Sequence, residues 1–87
     1  MIEDERRKRL LYRAQHRGFK EADLLIGGYA AARLQSMSAA ELDEFETLIA
    51  LADHDLYDFI RGERQAPAAL DGAVLRALRE FIAAPGG

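Results

Sequence analysis

The chain is 87 residues long, with 12 basic and 15 acidic side chains, a formal net charge of -3, no cysteine and no tryptophan. Area scaling gives roughly 5,100 Å² of folded surface against about 14,000 Å² unfolded, one modest core, and a cofactor pocket of about 300 to 1,000 Å³ would hollow out much of it. Without cysteine there is no disulfide, thiolate metal site or thiol nucleophile, and no run of ~18 apolar residues reads as a membrane span.

Sixteen alanines and twelve leucines favour helix, whereas one threonine and one valine supply too few β-branched residues for a sheet. The expected fold is a small all-α bundle of about five helices, one domain over residues 1–87 with an ordered core at about 6–83. The first helix is predicted at 3–16, with Glu3, Asp4 and Glu5 at the positive end of its dipole and Arg9 and Arg13 at the negative end. Leu10, Leu11 and Ala14 form its apolar stripe. Gly18 is expected to stop it by taking the left-handed C′ conformation. A second helix, about 20–34, places Leu25, Tyr29 and Ala32 on one face, and its Gly27-Gly28 pair suggests a kink or a close helix contact.

Ser38-x-x-Glu41 is a capping box and opens a third helix, in which Leu42, Phe45, Leu48, Ile49 and Ala52 recur at helical spacing. An N-cap aspartate at 53–55 begins a short fourth helix with Leu56, Phe59 and Ile60 inward, ending by Gly62. Residues 63–69, with Pro67, read as a loop. The last helix, from Leu70 or Asp71 to Ala83, carries Val74, Leu75, Leu78, Phe81 and Ile82 on one face, and residues 84–87 are expected to be a frayed tail. The expected core comprises Leu25, Phe45, Leu48, Leu56, Phe59, Leu75, Leu78 and Ile82. Tyr12 is also read as a core residue, while Tyr29 and Tyr57 suit either core or surface.

Charge is uneven: residues 1–20 carry +4, residues 21–60 carry -8 and residues 61–87 carry +1. The acidic middle disfavours a general nucleic-acid role, although a small DNA-binding module using the basic segment 6–20 stays open as the alternative. Glu41, Asp43, Glu44 and Glu46 are read as a solvated helix face. His16 and His54 lie at helix ends without a Ser, Cys or metal-ligand partner in the sequence. Two histidines without an HxxxH or HxH pair also argue against a zinc site, so neither a catalytic residue nor a metal ligand is assigned.

The junction Arg17-Gly18-Phe19-Lys20-Glu21-Ala22-Asp23 is the most unusual segment, yet an ordinary helical hairpin explains it: glycine ends one helix and acids begin the next. R-G-x-x-E alone is a weak motif. A second pattern, D-x-D-L-[FY]-x-[FW], stands at Asp53-His54-Asp55-Leu56-Tyr57-Asp58-Phe59. Taken with the basic first helix from Arg6, the Leu24-Leu25-x-Gly-x-[FY]-Ala run to Ala30 and the Ser38 capping box, the chain resembles the succinate dehydrogenase FAD assembly factor family from about Arg6 to Phe59, and more loosely to Ile82.

That resemblance implies a five-helix protein that is not itself an oxidoreductase. It implies binding to the flavoprotein subunit of succinate dehydrogenase, and in some bacteria of fumarate reductase, to promote covalent attachment of FAD to a histidine of that subunit. FAD is then the partner's cofactor, with none assigned to this chain. The family signature falls on Arg17, Gly18 and Glu21, which with Asp23, His16 and Tyr57 make the expected partner-binding set, Arg17 and Glu21 being exposed. Ala22 replaces a larger apolar residue, and Phe59 stands where many members have tryptophan. A stand-alone flavin carrier is a third reading. The acid-rich start MIEDERRKR is unlike a secretory signal or a presequence, so a bacterial cytoplasm is the expected setting, or the mitochondrial matrix for a processed form.

Overall fold

In the computed structural model, which describes residues 2–83, the elements run α1 (Ile2–Gln15), α2 (Lys20–Arg33), a 3-10 turn (Leu34–Ser36), α3 (Ala39–Ile49), α4 (Asp53–Arg61) and α5 (Ala73–Ala83). No strand occurs among the described residues, in agreement with the all-α class read from composition. The tail expected at 84–87 lies outside them. α1 packs chiefly on α2, and α5 closes the bundle against α2, α3 and α4.

One buried cluster joins all five helices, with Leu10 and Ala14 from α1, Ile26 and Tyr29 from α2, Leu42, Phe45 and Leu48 from α3, Leu56 and Phe59 from α4, and Leu75 and Leu78 from α5. Its composition corrects three expected core positions. Leu25 is half-buried, and Ala22, Ile26, Tyr29 and Ala30 face inward instead. The inward face of α2 therefore keeps Tyr29 but is shifted from the expected stripe toward Ile26 and Ala30, and Ala32 is exposed. The run Leu24-Leu25-Ile26 is apolar all round, so its periodicity does not choose a face. The choice comes from Gly27, where a Cβ would lie 2.9 Å from Gln15 Cγ and 3.2 Å from Gln15 Cα: α1 and α2 approach too closely there for a side chain. The other two differences are Ile82, half-buried near the end of α5, and Tyr12, which is 64% exposed.

The expected capping box is present, with Ser38 Oγ accepting from the Glu41 amide at 3.2 Å and Glu41 Oε1 accepting from the Ser38 amide at 2.9 Å. α4 starts differently. Its N-cap is Ala52, with no side-chain cap, and Asp53 is its first helical residue, because the Asp53 carboxylate faces Arg17 instead. Ala52 is exposed rather than part of the α3 stripe. α4 ends as expected at Gly62, with φ 76°. α5 begins at Ala73 rather than 70 or 71, since the amides of Leu70 and Asp71 close a turn on the Pro67 carbonyl at 2.9 and 3.0 Å.

The acids of α3 are solvated only in part, Asp43 remaining exposed, and they also pair with other helices. Arg6 of α1 lies 2.6 Å from Asp43 Oδ1 and 2.8 Å from Glu46 Oε1, hydrogen bonds that raise the Arg6 pKa, Asp43 contributing most. Glu44 crosses to α5, where Oε2 accepts from the Val74 amide at 3.3 Å, a favourable place for a carboxylate at a helix N-terminus. Gly72 leaves the space that this carboxylate occupies. The basic first helix and the acidic third are thus complementary surfaces of one fold.

The two neighbouring glycines of α2 separate cleanly, because a Cβ on Gly28 meets nothing within 4 Å. Gly28→Ala is expected to raise the unfolding free energy by ~0.5 to 1 kcal/mol through helix propensity and a less flexible unfolded chain. Gly27→Ala is expected to lower it, because α1 must move away. Urea denaturation of the two variants measures both signs.

Candidate functional site

Two chain corners meet at one end of the bundle: residues 16–19 between α1 and α2, and residues 50–52 between α3 and α4. Arg17 joins them. Its Nη1 donates to the Ile49 carbonyl at 2.6 Å and its Nη2 to the Leu51 carbonyl at 2.7 Å. Nε lies 2.8 Å from Asp53 Oδ1, a close charge contact without hydrogen-bond alignment. The side chain is only 6% exposed. This overturns the expectation that Arg17 lies open to solvent. The carbonyl of Ile49, the last residue of α3, has no intrahelical donor, and the planar guanidinium serves it together with the Leu51 carbonyl of the connection while facing a carboxylate.

Gly18 follows with φ 90°, the positive value expected of it, although it stands three residues beyond the last residue of α1 rather than directly at its end. It is exposed, and a Cβ there would meet nothing within 4 Å. Its backbone is therefore open to approach from outside, and the requirement for glycine within the fold comes from φ alone. Asp23, in the first turn of α2, accepts from the Arg17 amide at 2.7 Å and so folds the corner back on itself.

Glu21 is exposed on the same turn, and its Oε2 accepts from the Tyr57 hydroxyl of α4 at 2.5 Å. Tyr57 packs edge-on against Phe19 with ring centroids 5.0 Å apart, and His54 lies 5.5 Å from Phe19. His16 is exposed and stacks on Tyr12 at 4.1 Å, its Nδ1 2.9 Å from the Tyr12 carbonyl. Beside them an open groove of about 270 Å³ is lined by Tyr12, His16, Arg17 and Asp53.

Thus the structure brings Glu21 and Tyr57 into contact, puts Gly18 and His16 on the same exposed corner, and turns Arg17 and Asp23 inward to hold it. The sequence reading missed Asp53 as the partner of Arg17, and Phe19 and Arg61 as supports of Tyr57. The D-x-D pattern marked the first of these, but not whom it would meet. Tyr29 is 4% exposed and packs on Phe45 and Phe81; its phenol pKa is raised, mainly by burial. No group of three or more metal-ligating side chains suited to an ion occurs among the described residues.

The DNA-binding alternative finds little support here, because four of the seven cations of segment 6–20 are engaged within the fold and only Lys8, Arg9 and Lys20 stay exposed without an ion pair among the described residues. Arg6 is paired with Asp43 and Glu46, Arg7 donates to the Met37 carbonyl at 2.9 Å, Arg13 faces Glu46 at 3.8 Å and Arg17 is buried against Asp53. Phosphate binding needs uncompensated cations on the presented surface.

Comparison with known proteins identifies the family. A family model described as flavinator of succinate dehydrogenase matches residues 8–82. The chain is 38% identical over 82 residues to a protein of Schizosaccharomyces japonicus named succinate dehydrogenase assembly factor 2, mitochondrial, covering 93% of this chain and 57% of that one. It is 39% identical over 75 residues to the FAD assembly factor SdhE of Acetobacter pasteurianus, covering 86% of this chain and 69% of the other. A Dictyostelium discoideum protein, again named succinate dehydrogenase assembly factor 2, mitochondrial, is 30% identical over 70 residues, with 80% and 50% covered. The chain therefore spans half or a little more of the two mitochondrial relatives.

Arg17→Ala is expected to lower the unfolding free energy by ~3 kcal/mol, because it leaves the Ile49 and Leu51 carbonyls unpaired and Asp53 without its counter-charge. Arg17→Lys is expected to recover only part of this, since one ammonium cannot reproduce the planar fork. Glu21→Ala, at an exposed position, is expected to change stability by less than ~1 kcal/mol. Chemical denaturation compares the three. An Arg17→Ala variant as stable as the parent would contradict the burial of that side chain.

Proposed function

The chain belongs to the flavinator of succinate dehydrogenase family, and on that premise we propose that it is an assembly factor that docks on the flavoprotein subunit of succinate dehydrogenase and promotes covalent attachment of FAD to it. The match to the family model over residues 8–82 is the observation that carries the reading. The relatives' names support it, since they describe assembly factors and not oxidoreductases.

What such a protein must contribute is modest. Joining a histidine to a flavin needs the two held in a productive arrangement, and a partner that fixes the arrangement supplies orientation, with no catalytic group of its own. In this reading FAD and the reacting histidine both belong to the flavoprotein, and this chain presents the α1–α2 corner. Gly18 lets the client approach the backbone closely, and Glu21 accepts charge-assisted hydrogen bonds from it. His16 and Tyr57 flank that contact. Arg17 and Asp23 serve it indirectly by holding the corner in shape. The flavoprotein of fumarate reductase is proposed as a second client. The proposed compartment is the bacterial cytoplasm, supported by the likeness to the Acetobacter protein, with the mitochondrial matrix as its eukaryotic counterpart.

Deletion of the gene is expected to abolish covalent flavin on the succinate dehydrogenase subunit, read by ultraviolet fluorescence in a denaturing gel. The band at the fumarate reductase subunit tests the second client on the same gel. Complementation with Gly18→Ala, which adds about 1 kcal/mol of backbone strain, is expected to restore most of the signal. Gly18→Arg is expected to fail at a temperature where circular dichroism shows it folded. Full flavinylation with folded Gly18→Arg would remove the corner from the docking surface.

A further inference from the structure

Glu21 is exposed in the first turn of α2, and a glutamate in such a place would ordinarily sample several rotamers. Here it does not stand alone. The Tyr57 hydroxyl, projecting from α4, donates to Glu21 Oε2 at 2.5 Å. The Tyr57 hydroxyl oxygen in turn accepts from Arg61 Nη1 at 3.0 Å, one helical turn further along α4. The guanidinium also lies over the Tyr57 ring, 5.4 Å from its centroid, and its Nε faces Glu63 at 3.2 Å. Phe19 packs edge-on against the tyrosine ring. A phenol that accepts from a guanidinium is a stronger donor to a carboxylate, because hydrogen bonds in a chain polarise one another.

We propose that Tyr57 is a positioning residue for partner recognition: its hydroxyl, backed by Arg61, fixes the Glu21 carboxylate so that Oε1 is presented to an N–H donor of the flavoprotein. The inference rests on the reading of the α1–α2 corner as the docking surface and adds how that surface is prepared. Glu21 Oε1 makes no hydrogen bond among the described residues, while Oε2 is engaged. The free oxygen, held in place, suits a guanidinium, an ammonium or a backbone amide of the client. Fixing the side chain beforehand removes an ordering cost that would otherwise fall on binding.

Tyr57→Phe isolates the hydroxyl, because the ring and its packing on Phe19 remain. Titration calorimetry with the succinate dehydrogenase flavoprotein subunit from the same organism would compare the parent, Tyr57→Phe, Glu21→Gln and the double variant. Tyr57→Phe is expected to weaken binding about three- to tenfold, and the double variant to bind no more weakly than Glu21→Gln, since the hydroxyl acts through the carboxylate. In the free protein, Tyr57→Phe is expected to move the carbon-13 resonance of the Glu21 carboxyl carbon while the melting temperature changes by only a few degrees. Parent-like affinity of Tyr57→Phe, or losses that simply add in the double variant, would overturn the inference. The wider reading fails in a different pattern: Glu21→Gln and folded Gly18→Arg would then bind like the parent, and both proposals would fall together.

Discussion

The guanidinium of Arg17 is the point on which the corner geometry depends. Two helix-to-helix connections, one between α1 and α2 and one between α3 and α4, are brought together by a single side chain that bonds the carbonyls of Ile49 and Leu51 and faces Asp53. Each group would otherwise want a partner in a place that packing has largely closed to water. Because α3 ends and α4 begins within four residues, fixing that corner sets where α4 leaves, and with it where Tyr57 stands relative to Glu21. The arginine of the signature thus acts on the contact surface from beneath it.

Charge complementarity does the same work on a larger scale. An acidic middle and a basic start could have been read as two solvated faces or as a nucleic-acid footprint. In the fold they meet each other: Arg6 lies between Asp43 and Glu46, Glu44 closes the N-terminus of α5, and Glu41 closes its own helix. Exposed ion pairs of this kind contribute little stability individually. Their larger effect is on register, since Arg6 and Arg13 meet the acids of α3 only while the apolar stripe of α1 faces α2. The same pairing leaves the α1–α2 corner, with Gly18 and Glu21, as the outward-facing part of the motif.

That division of labour suits a protein whose task is to hold another in place. A docking surface needs a backbone that can be approached, a fixed polar group and a rigid support. Here Gly18 supplies the first, Glu21 with Tyr57 the second, and the Arg17–Asp53 contact with the Asp23 bond to the Arg17 amide the third. The proposed function does not ask this chain to enclose a flavin, since both FAD and the reacting histidine then belong to the client.

The sequence by itself determined the helical class, the order of the helices, the capping box at Ser38, the positive φ of Gly18, the end of α4 by Gly62, and the family signature on Arg17, Gly18 and Glu21. These are local properties: propensity, spacing and the steric freedom of glycine act within a few residues along the chain. Only the tertiary structure decided that Arg17 is buried, that Ile26 and not Leu25 faces inward, that Tyr12 is exposed while Tyr29 is core, and that Glu44 caps a helix thirty residues away. Each of those depends on what another helix brings to the same place. A run such as Leu24-Leu25-Ile26 is apolar on every side, and an arginine after a helix can face water or a distant carbonyl equally well. The close approach of α1 to α2 at Gly27 and the meeting of the two corners resolve both ambiguities, and neither is written in the spacing of residues along one segment.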